Sequence, residues 1–104
     1  MKLINGTIEN FEKEVLESSV PVLVDFNASW CPPCNALHLV LKEIADDGGD
    51  FKIVLVDIDN EPELASKYDI SSIPCLLLFK EGEEKDRRIG LQSKKRLQKI
   101  LGIK

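Results

Sequence analysis

The sequence predicts an α/β fold, in which a mixed, mostly parallel sheet has helices on both faces and a C-terminal antiparallel hairpin. Short apolar runs bounded by turn residues alternate with segments whose apolar residues recur at helical spacing. This order is typical of a sheet with helical crossovers. The last two predicted strands are separated only by a short turn around Glu81-Gly82, so they must pair antiparallel. A length of 104 residues favours one domain, 1–104, with one core.

The first elements are predicted from an N-cap residue and a proline. A short strand at 3–4 precedes a helix that begins at Thr7, a favoured N-cap residue, and runs to about Ser18. The apolar residues of this helix recur at helical spacing. Pro21 then leads into 22–26, a β-branched run that predicts a buried strand.

A long helix and a second strand are predicted in the middle of the chain. The helix begins between Cys31 and Cys34 and ends at the acidic turn 46–50. Its inward face is formed by apolar residues three or four positions apart: Leu37, Val40, Leu41 and Ile44. The apolar run at 51–57 predicts the next strand.

Three further elements and a hairpin complete the predicted fold. A short helix spans 60–68, with Asn60 as its N-cap and a proline in its first turn. The apolar run at 75–79 predicts the third central strand, and 84–89 is its hairpin partner. Ser93 then caps a final helix.

The composition excludes several classes of function. The chain has 14 basic and 18 acidic side chains, and a net charge of −4 without a block of basic residues argues against nucleic acid as a partner. No apolar run approaches the roughly 20 residues that cross a membrane. The first residues become polar too soon for the apolar segment of a signal peptide, so we expect a cytoplasmic protein.

The segment Trp30-Cys31-Pro32-Pro33-Cys34 lies where a strand gives way to a helix. Two cysteines three positions apart at a helix start can close a disulfide within one turn. The free backbone N–H groups and the positive end of the helix would favour thiolate over thiol at Cys31, which makes a nucleophile near neutral pH. Cys34, expected to be the more buried cysteine, would then resolve the mixed disulfide.

Metal binding is the alternative for these cysteines. A structural site needs four ligands, and His38 and Cys75 are the further candidates in this chain. Because no second paired cysteine motif exists, the redox interpretation is favoured. Cys75 is expected to be either a small apolar residue at the start of a buried strand or a third redox-active thiol.

Two residues outside the motif have unusual positions. Asp25 falls inside an apolar strand, where an unpaired carboxylate is costly, so it either turns to solvent or is buried with a raised pKa. We favour burial, which would let this carboxyl exchange a proton with Cys34. Pro74 stands directly before a core strand, where a cis peptide bond would bring backbone beside the cysteines. An ordinary strand-entry proline is the alternative.

Together these residues resemble the thioredoxin family. The resemblance covers nearly the whole chain and is carried by 22–26 followed by 28–34, by Ile73-Pro74, by 77–82 and by Gly90. It implies the thioredoxin fold. It also implies that Cys31 attacks a substrate disulfide, that Cys34 resolves the mixed disulfide and that Asp25 is the buried proton acceptor. The substrate's backbone would lie on an apolar surface formed by Trp30, Ile73, Pro74 and Gly90.

Four positions depart from the family's usual pattern. Pro32 replaces a glycine, which deletes one backbone donor near the first cysteine while the two adjacent prolines stiffen the disulfide ring. Leu55 stands where a lysine is common, so Asp25 loses a charge partner and its pKa should rise further. Leu39 replaces a proline that usually kinks the second helix, and Cys75 replaces a common threonine.

The expected function is that of a protein-disulfide reductase, an electron carrier of the thioredoxin type. No cofactor beyond the redox-active Cys31–Cys34 disulfide is expected, since the chain has no nucleotide-binding glycine pattern. No metal is expected, since the chain has no second paired cysteine motif. By resemblance, the partners are disulfide-bearing proteins and an NADPH-dependent thioredoxin reductase or an equivalent dithiol donor, and we expect a monomer. The alternatives are a disulfide oxidase or isomerase, a metal or iron–sulfur protein using Cys31, Cys34 and Cys75, and a redox-independent scaffold.

Overall fold

In the computed structural model, which describes residues 3–103, a five-stranded sheet separates two helical layers. The elements in chain order are β1 (Leu3–Asn5), a π-helix (Glu12–Leu16), β2 (Val22–Asn27), α1 (Pro32–Asp47), β3 (Lys52–Asp57), α2 (Pro62–Lys67), β4 (Cys75–Lys80), β5 (Glu83–Ile89) and α3 (Lys94–Ile100). Across the sheet the strands follow the order β1-β3-β2-β4-β5. The central strand, β2, therefore leads almost directly into the Trp30–Cys34 segment.

The sheet is mixed, and it contains one antiparallel pairing more than the sequence predicts. β1, β3 and β2 are parallel, whereas β4 is antiparallel both to β2 and to β5. The helix between β3 and β4, α2, has six residues and covers about 9 Å, less than half the roughly 20 Å of a six-residue strand. The chain does not return to the far end of the sheet before it re-enters: β4 begins where β2 ends, with Cys75 opposite Phe26.

Alternating side chains of the strands supply two hydrophobic cores, one on each face of the sheet. Val24 and Phe26 of β2 pack with Val15 of the π-helix and Leu64 of α2. On the other face, Leu23 packs with residues of α1 and α3: Leu37, Leu41, Ile44 and Leu97. Both helical layers therefore bury an apolar side against the sheet, as the spacing of their apolar residues predicts.

The predicted strands are confirmed with bounds that differ by one residue at most, and the final helix begins directly after Ser93 as predicted, but the first helix is corrected. The Asn10 N–H donates to Thr7 Oγ1 at 3.2 Å, so Thr7 opens a turn as an N-cap residue does. The helix that follows is a π-helix over Glu12–Leu16, in which the Glu17 N–H donates to the Glu12 carbonyl at 2.8 Å. Five residues are too few for apolar spacing to distinguish a π-helix from an α-helix.

The N-cap predicted for the short helix is also corrected. Glu61, not Asn60, occupies the N-cap position of α2, and it makes no capping hydrogen bond with its side chain. The Asn60 side chain instead donates an amide N–H to Asp57 Oδ2 at 3.4 Å. At α3, by contrast, the predicted cap is confirmed, since the Arg96 N–H donates to Ser93 Oγ at 3.2 Å. Within residues 3–103, no helix is long and apolar enough to cross a membrane.

Candidate active site

A disulfide joins Cys31 and Cys34 at the N-terminus of α1. Their Cα atoms are 5.2 Å apart, which lies in the ordinary range for a disulfide because one helical turn brings positions i and i+3 together. The sequence predicts that Cys34 is the more buried of the two. The structure buries both almost equally, with 3% of Cys31 and 2% of Cys34 exposed.

The start of α1 favours negative charge on the sulfur of Cys31. Cys31 is the N-cap residue, and its Sγ accepts a hydrogen bond from the Cys34 N–H at 3.3 Å. Pro32 and Pro33 have no N–H, so Cys34 is the first residue of the helix that donates one. The dipole of this 16-residue helix adds positive potential at the same end. One hydrogen bond and the helix dipole therefore both stabilise a thiolate at this position.

Asp25 lies in the interior of the sheet and is 1% exposed. Its nearest neighbours across the strands are apolar, Leu55 on β3 and Leu76 on β4. Its Oδ1 atom has no hydrogen-bond partner among residues 3–103. Burial raises the pKa of Asp25 from 3.8 to about 7. The structure thus has a buried carboxyl with a raised pKa, the alternative favoured from the sequence.

Asp25 points toward the same helical layer as the cysteines. Side chains alternate along β2, so Asp25 lies on the face of Leu23, which packs against α1. β2 ends at Asn27, from which the chain continues to Cys31, and Asp25 lies two residues nearer to this end than Leu23. The carboxyl therefore lies beneath the beginning of α1.

A cis peptide bond between Ile73 and Pro74 lies beside the disulfide. The Ile73 side chain packs against the buried cluster that Cys31 and Cys34 form with Ala28. Pro74 is buried, and its carbonyl accepts a hydrogen bond from the Gly90 N–H at 2.8 Å. Gly90 has a φ of 90°, which favours glycine there. Three residues predicted for the substrate surface, Ile73, Pro74 and Gly90, are thus brought together next to the cysteines.

Trp30 is exposed and held by a residue that the sequence analysis missed. Its indole Nε1 donates to Asp59 Oδ2 at 2.9 Å, although 65% of the residue remains exposed. Asp59 in turn is oriented by its backbone N–H, which donates to Asp57 Oδ1 at 2.9 Å. Parallel strands end at the same edge of a sheet, so the acidic residues after β3 were detectable as neighbours of the motif after β2.

Cys75 is separated from the disulfide by the sheet. Its side chain belongs to the core on the face opposite α1, together with Phe26 and Leu64. Burial raises the pKa of Cys75, which disfavours the reactive thiolate. These surroundings suit a small apolar residue. In the part of the chain that the structure describes, no three His, Cys, Asp or Glu side chains converge in a way that could hold a metal ion.

Known proteins resemble this chain over most of its length. The family model described as thioredoxin matches residues 2–102. The thioredoxin of Rickettsia felis is 50% identical over 94 residues, which cover 89% of this chain and 90% of that protein. Thioredoxin 1 of Synechococcus elongatus is 47% identical over 96 residues, covering 91% and 90%. The chain belongs to the thioredoxin family. Thioredoxin C-2 of Corynebacterium nephridii is a further relative, 44% identical over 91% of this chain and 89% of its own.

Family membership and the Cys31–Cys34 pair together identify the activity. The fold is the thioredoxin fold, and the protein is a thiol–disulfide oxidoreductase, a protein-disulfide reductase of the thioredoxin type. Disulfide-bearing proteins and a reductase are the partners of this family. The oxidase, isomerase and metal-binding alternatives are not favoured.

Proposed function

We propose that Cys31 is the attacking cysteine and Cys34 the resolving cysteine of the dithiol cycle. The Cys31 thiolate attacks one sulfur of a substrate disulfide, and the other substrate sulfur leaves as a thiolate. Cys34 then attacks the Cys31 sulfur, which closes the internal disulfide and releases the second substrate thiol. Two electrons pass from the dithiol to the substrate. The observation that carries the assignment is the position of Cys31 as the N-cap of α1, where the Cys34 N–H and the helix dipole favour its thiolate.

Asp25 is the proposed proton carrier of this cycle. Cys34 must lose a proton before it attacks, and the departing substrate sulfur must gain one. A carboxyl with a pKa of about 7 is populated in both protonation states near neutral pH, so it can accept the first proton and return it. Leu55, directly opposite on β3, provides no cation that would lower this pKa.

The proposed substrate surface consists of Trp30, Ile73, Pro74 and Gly90. The proposal is supported by the packing of Ile73 against the cysteine cluster and by the hydrogen bond from Gly90 to Pro74. It is supported also by the exposure of the Trp30 ring, which Asp59 holds in place. An extended substrate segment on this surface would present its disulfide to Cys31.

The proposed recharging partner is an NADPH-dependent thioredoxin reductase or an equivalent dithiol donor. The redox-active disulfide would be the only redox group of the protein, with no tightly bound cofactor. Because the cycle needs a continuous supply of electrons, the reducing cytoplasm is the proposed location. The acidic net charge of −4 disfavours nucleic acid as a partner. A monomer is proposed, since few large apolar residues within 3–103 are exposed.

Trapping of the mixed disulfide tests the assigned roles. The reduced Cys34→Ser variant should accumulate a covalent complex with insulin, because Cys31 can attack but no thiol resolves the product. The Cys31→Ser variant is the matched control and should accumulate none. Both carry Cys75→Ser to remove the remaining thiol, and the complexes are detected by mass spectrometry under non-reducing conditions. Accumulation by Cys31→Ser instead of Cys34→Ser would reverse the two roles.

A further inference from the structure

The outer side of α1 carries an apolar stripe that begins beside the redox disulfide. Pro32, Ala36 and Leu39 stand at positions i, i+4 and i+7, which share one helix face, and all three are exposed. Leu39 is 66% exposed, about as much as Trp30. Apart from Pro33, the other exposed positions of the helix are polar: Asn35, His38, Lys42, Glu43, Asp46 and Asp47.

Packing within the protein does not account for this stripe. The inward face of α1 is formed by residues such as Leu37 and Leu41, each two positions from Leu39 and therefore about 200° away around the helix. The outer face of a helix that packs on one side is normally polar. The fold therefore does not require an apolar side chain at Leu39, and an exposed one is available to another molecule.

The stripe lies within the footprint of any protein that reacts with the disulfide. Leu39 follows Cys31 by eight residues, which corresponds to about 12 Å along the helix at 1.5 Å per residue. A transient interface that buries roughly 600–800 Å² on each partner covers a circle with a radius of about 14–16 Å. The partner's sulfur must contact a sulfur of the disulfide, so a footprint centred there extends over Pro32 and Ala36 to Leu39.

We propose that this stripe, Pro32, Ala36 and Leu39, is the docking surface for the dithiol protein that recharges the oxidised form, with an apolar side chain of that protein packed on Leu39. The inference rests on the proposed recharging by a thioredoxin reductase. Side-chain packing on a stripe needs a complementary residue at one fixed place. A dedicated donor can supply such a residue, whereas substrates share only their backbone and their cysteines.

The electron transfer at this surface is a dithiol exchange. A donor thiolate attacks the Cys31–Cys34 disulfide, which forms a mixed disulfide and frees one cysteine of the pair. The second donor thiol then attacks the donor sulfur of the mixed disulfide, and the cysteine bonded to that sulfur leaves as a thiolate. The donor ends as a disulfide and the protein as a dithiol, and two electrons have moved. Docking on Leu39 affects the binding that precedes these steps and leaves the intrinsic reactivity of the disulfide unchanged.

The Leu39→Gln variant tests the proposal, because glutamine keeps the helix propensity and removes the apolar side chain. The KM of a bacterial NADPH-dependent thioredoxin reductase for the oxidised protein is measured by NADPH oxidation. We expect a rise in KM of about tenfold for Leu39→Gln, from the lost burial of one leucine side chain. Leu39→Met, which keeps the apolar surface, should stay within about twofold of the parent protein.

Two controls separate docking from other effects. Ile8→Gln removes another exposed large apolar side chain, outside α1, and should leave the KM unchanged. Reduction of oxidised Leu39→Gln by dithiothreitol should proceed at the parent rate, because this small reagent needs no docking surface. If reduction by dithiothreitol slows as much as reduction by the reductase, the substitution has changed the reactivity of the disulfide. That result would overturn the proposal.

The remaining outcomes distinguish the stripe from the function on which it rests. An unchanged KM for Leu39→Gln, with the parent protein reduced normally, would overturn the stripe alone. A different outcome is that Leu39→Gln reduces insulin more slowly in a dithiothreitol-driven assay while its KM for the reductase is unchanged. That result would mean that substrates, and not the dithiol donor, dock on the stripe, and it would overturn the proposed occupant. If the reductase does not reduce the parent protein while dithiothreitol does, both the proposed donor and the stripe's occupant are wrong.

Discussion

Replacing Asp25 by asparagine should make the stability of the oxidised protein less dependent on pH. Burial raises the pKa of Asp25 from 3.8 to about 7 in the folded protein. Between these values the unfolded chain loses this proton while the folded protein keeps it, so the free energy of unfolding falls as the pH rises and levels off above about 7. At about 1.4 kcal/mol for each unit of pKa, the full penalty on the folded protein is roughly 4 kcal/mol.

The magnitude can be measured between pH 5 and pH 8.5. Less than half of the penalty is already present at pH 5, where the unfolded carboxyl is mostly ionised, and roughly 3 kcal/mol more develops by pH 8.5. Asp25→Asn has no such penalty. Its free energy of unfolding relative to the parent should therefore increase by about 3 kcal/mol over this range. Urea unfolding of the oxidised proteins gives this difference, because the disulfide keeps Cys31 and Cys34 from titrating.

A matched variant controls for the change in net charge. Asp46→Asn also removes one carboxylate, from an exposed position on α1. The desolvation argument is refuted if the stability difference between Asp25→Asn and the parent is the same at both pH values. That result would mean that Asp25 does not change its protonation differently in the folded and unfolded states across this range.

Two further predictions concern the cysteines. Equilibration in dithiothreitol buffers, with Cys75→Ser as a control, should give the Cys31–Cys34 couple a reduction potential near the value for thioredoxin, about −270 mV. A value between about −180 and −120 mV would indicate an oxidase or isomerase. In the folded protein Cys75 should react with iodoacetamide at least tenfold more slowly than after unfolding in urea, because it is buried and its pKa is raised. Peptide mapping that finds Cys75 modified in the oxidised, folded protein would instead support a third redox-active thiol.

The accuracy of the predicted elements depends on how local their signals are. The start of α1 is predicted from Cys31 to Cys34 because the N-cap and the first-turn prolines are adjacent in sequence. The same holds for Ser93, whose capping hydrogen bond spans three residues. The cap predicted at Asn60 is wrong because the helix begins one residue later, so that Glu61 occupies the N-cap position. The predicted type of the first helix is wrong because five residues contain too little periodicity.

The direction of β4 needs more than its own sequence. An apolar run such as 75–79 pairs equally well in either direction, since both arrangements bury its two faces. The direction is set by where the whole connection from β3, residues 58–74, returns the chain to the sheet. The antiparallel pairing with β2 places the beginning of β4, and hence Pro74, at the edge of the sheet from which α1 starts.

The sequence by itself determined the redox motif and its chemistry, whereas the tertiary structure decided the environment of each group. Five adjacent residues suffice to place two thiols at a helix start, because hydrogen bonding in a helical turn is local. Whether Asp25 is buried, on which face Cys75 lies and what holds Trp30 depend on side chains from other elements. Asp59, which binds Trp30, is 29 residues away along the chain. The desolvation and packing of a side chain depend on all the residues that surround it in space. They are therefore determined only when the sheet and the helices have assembled.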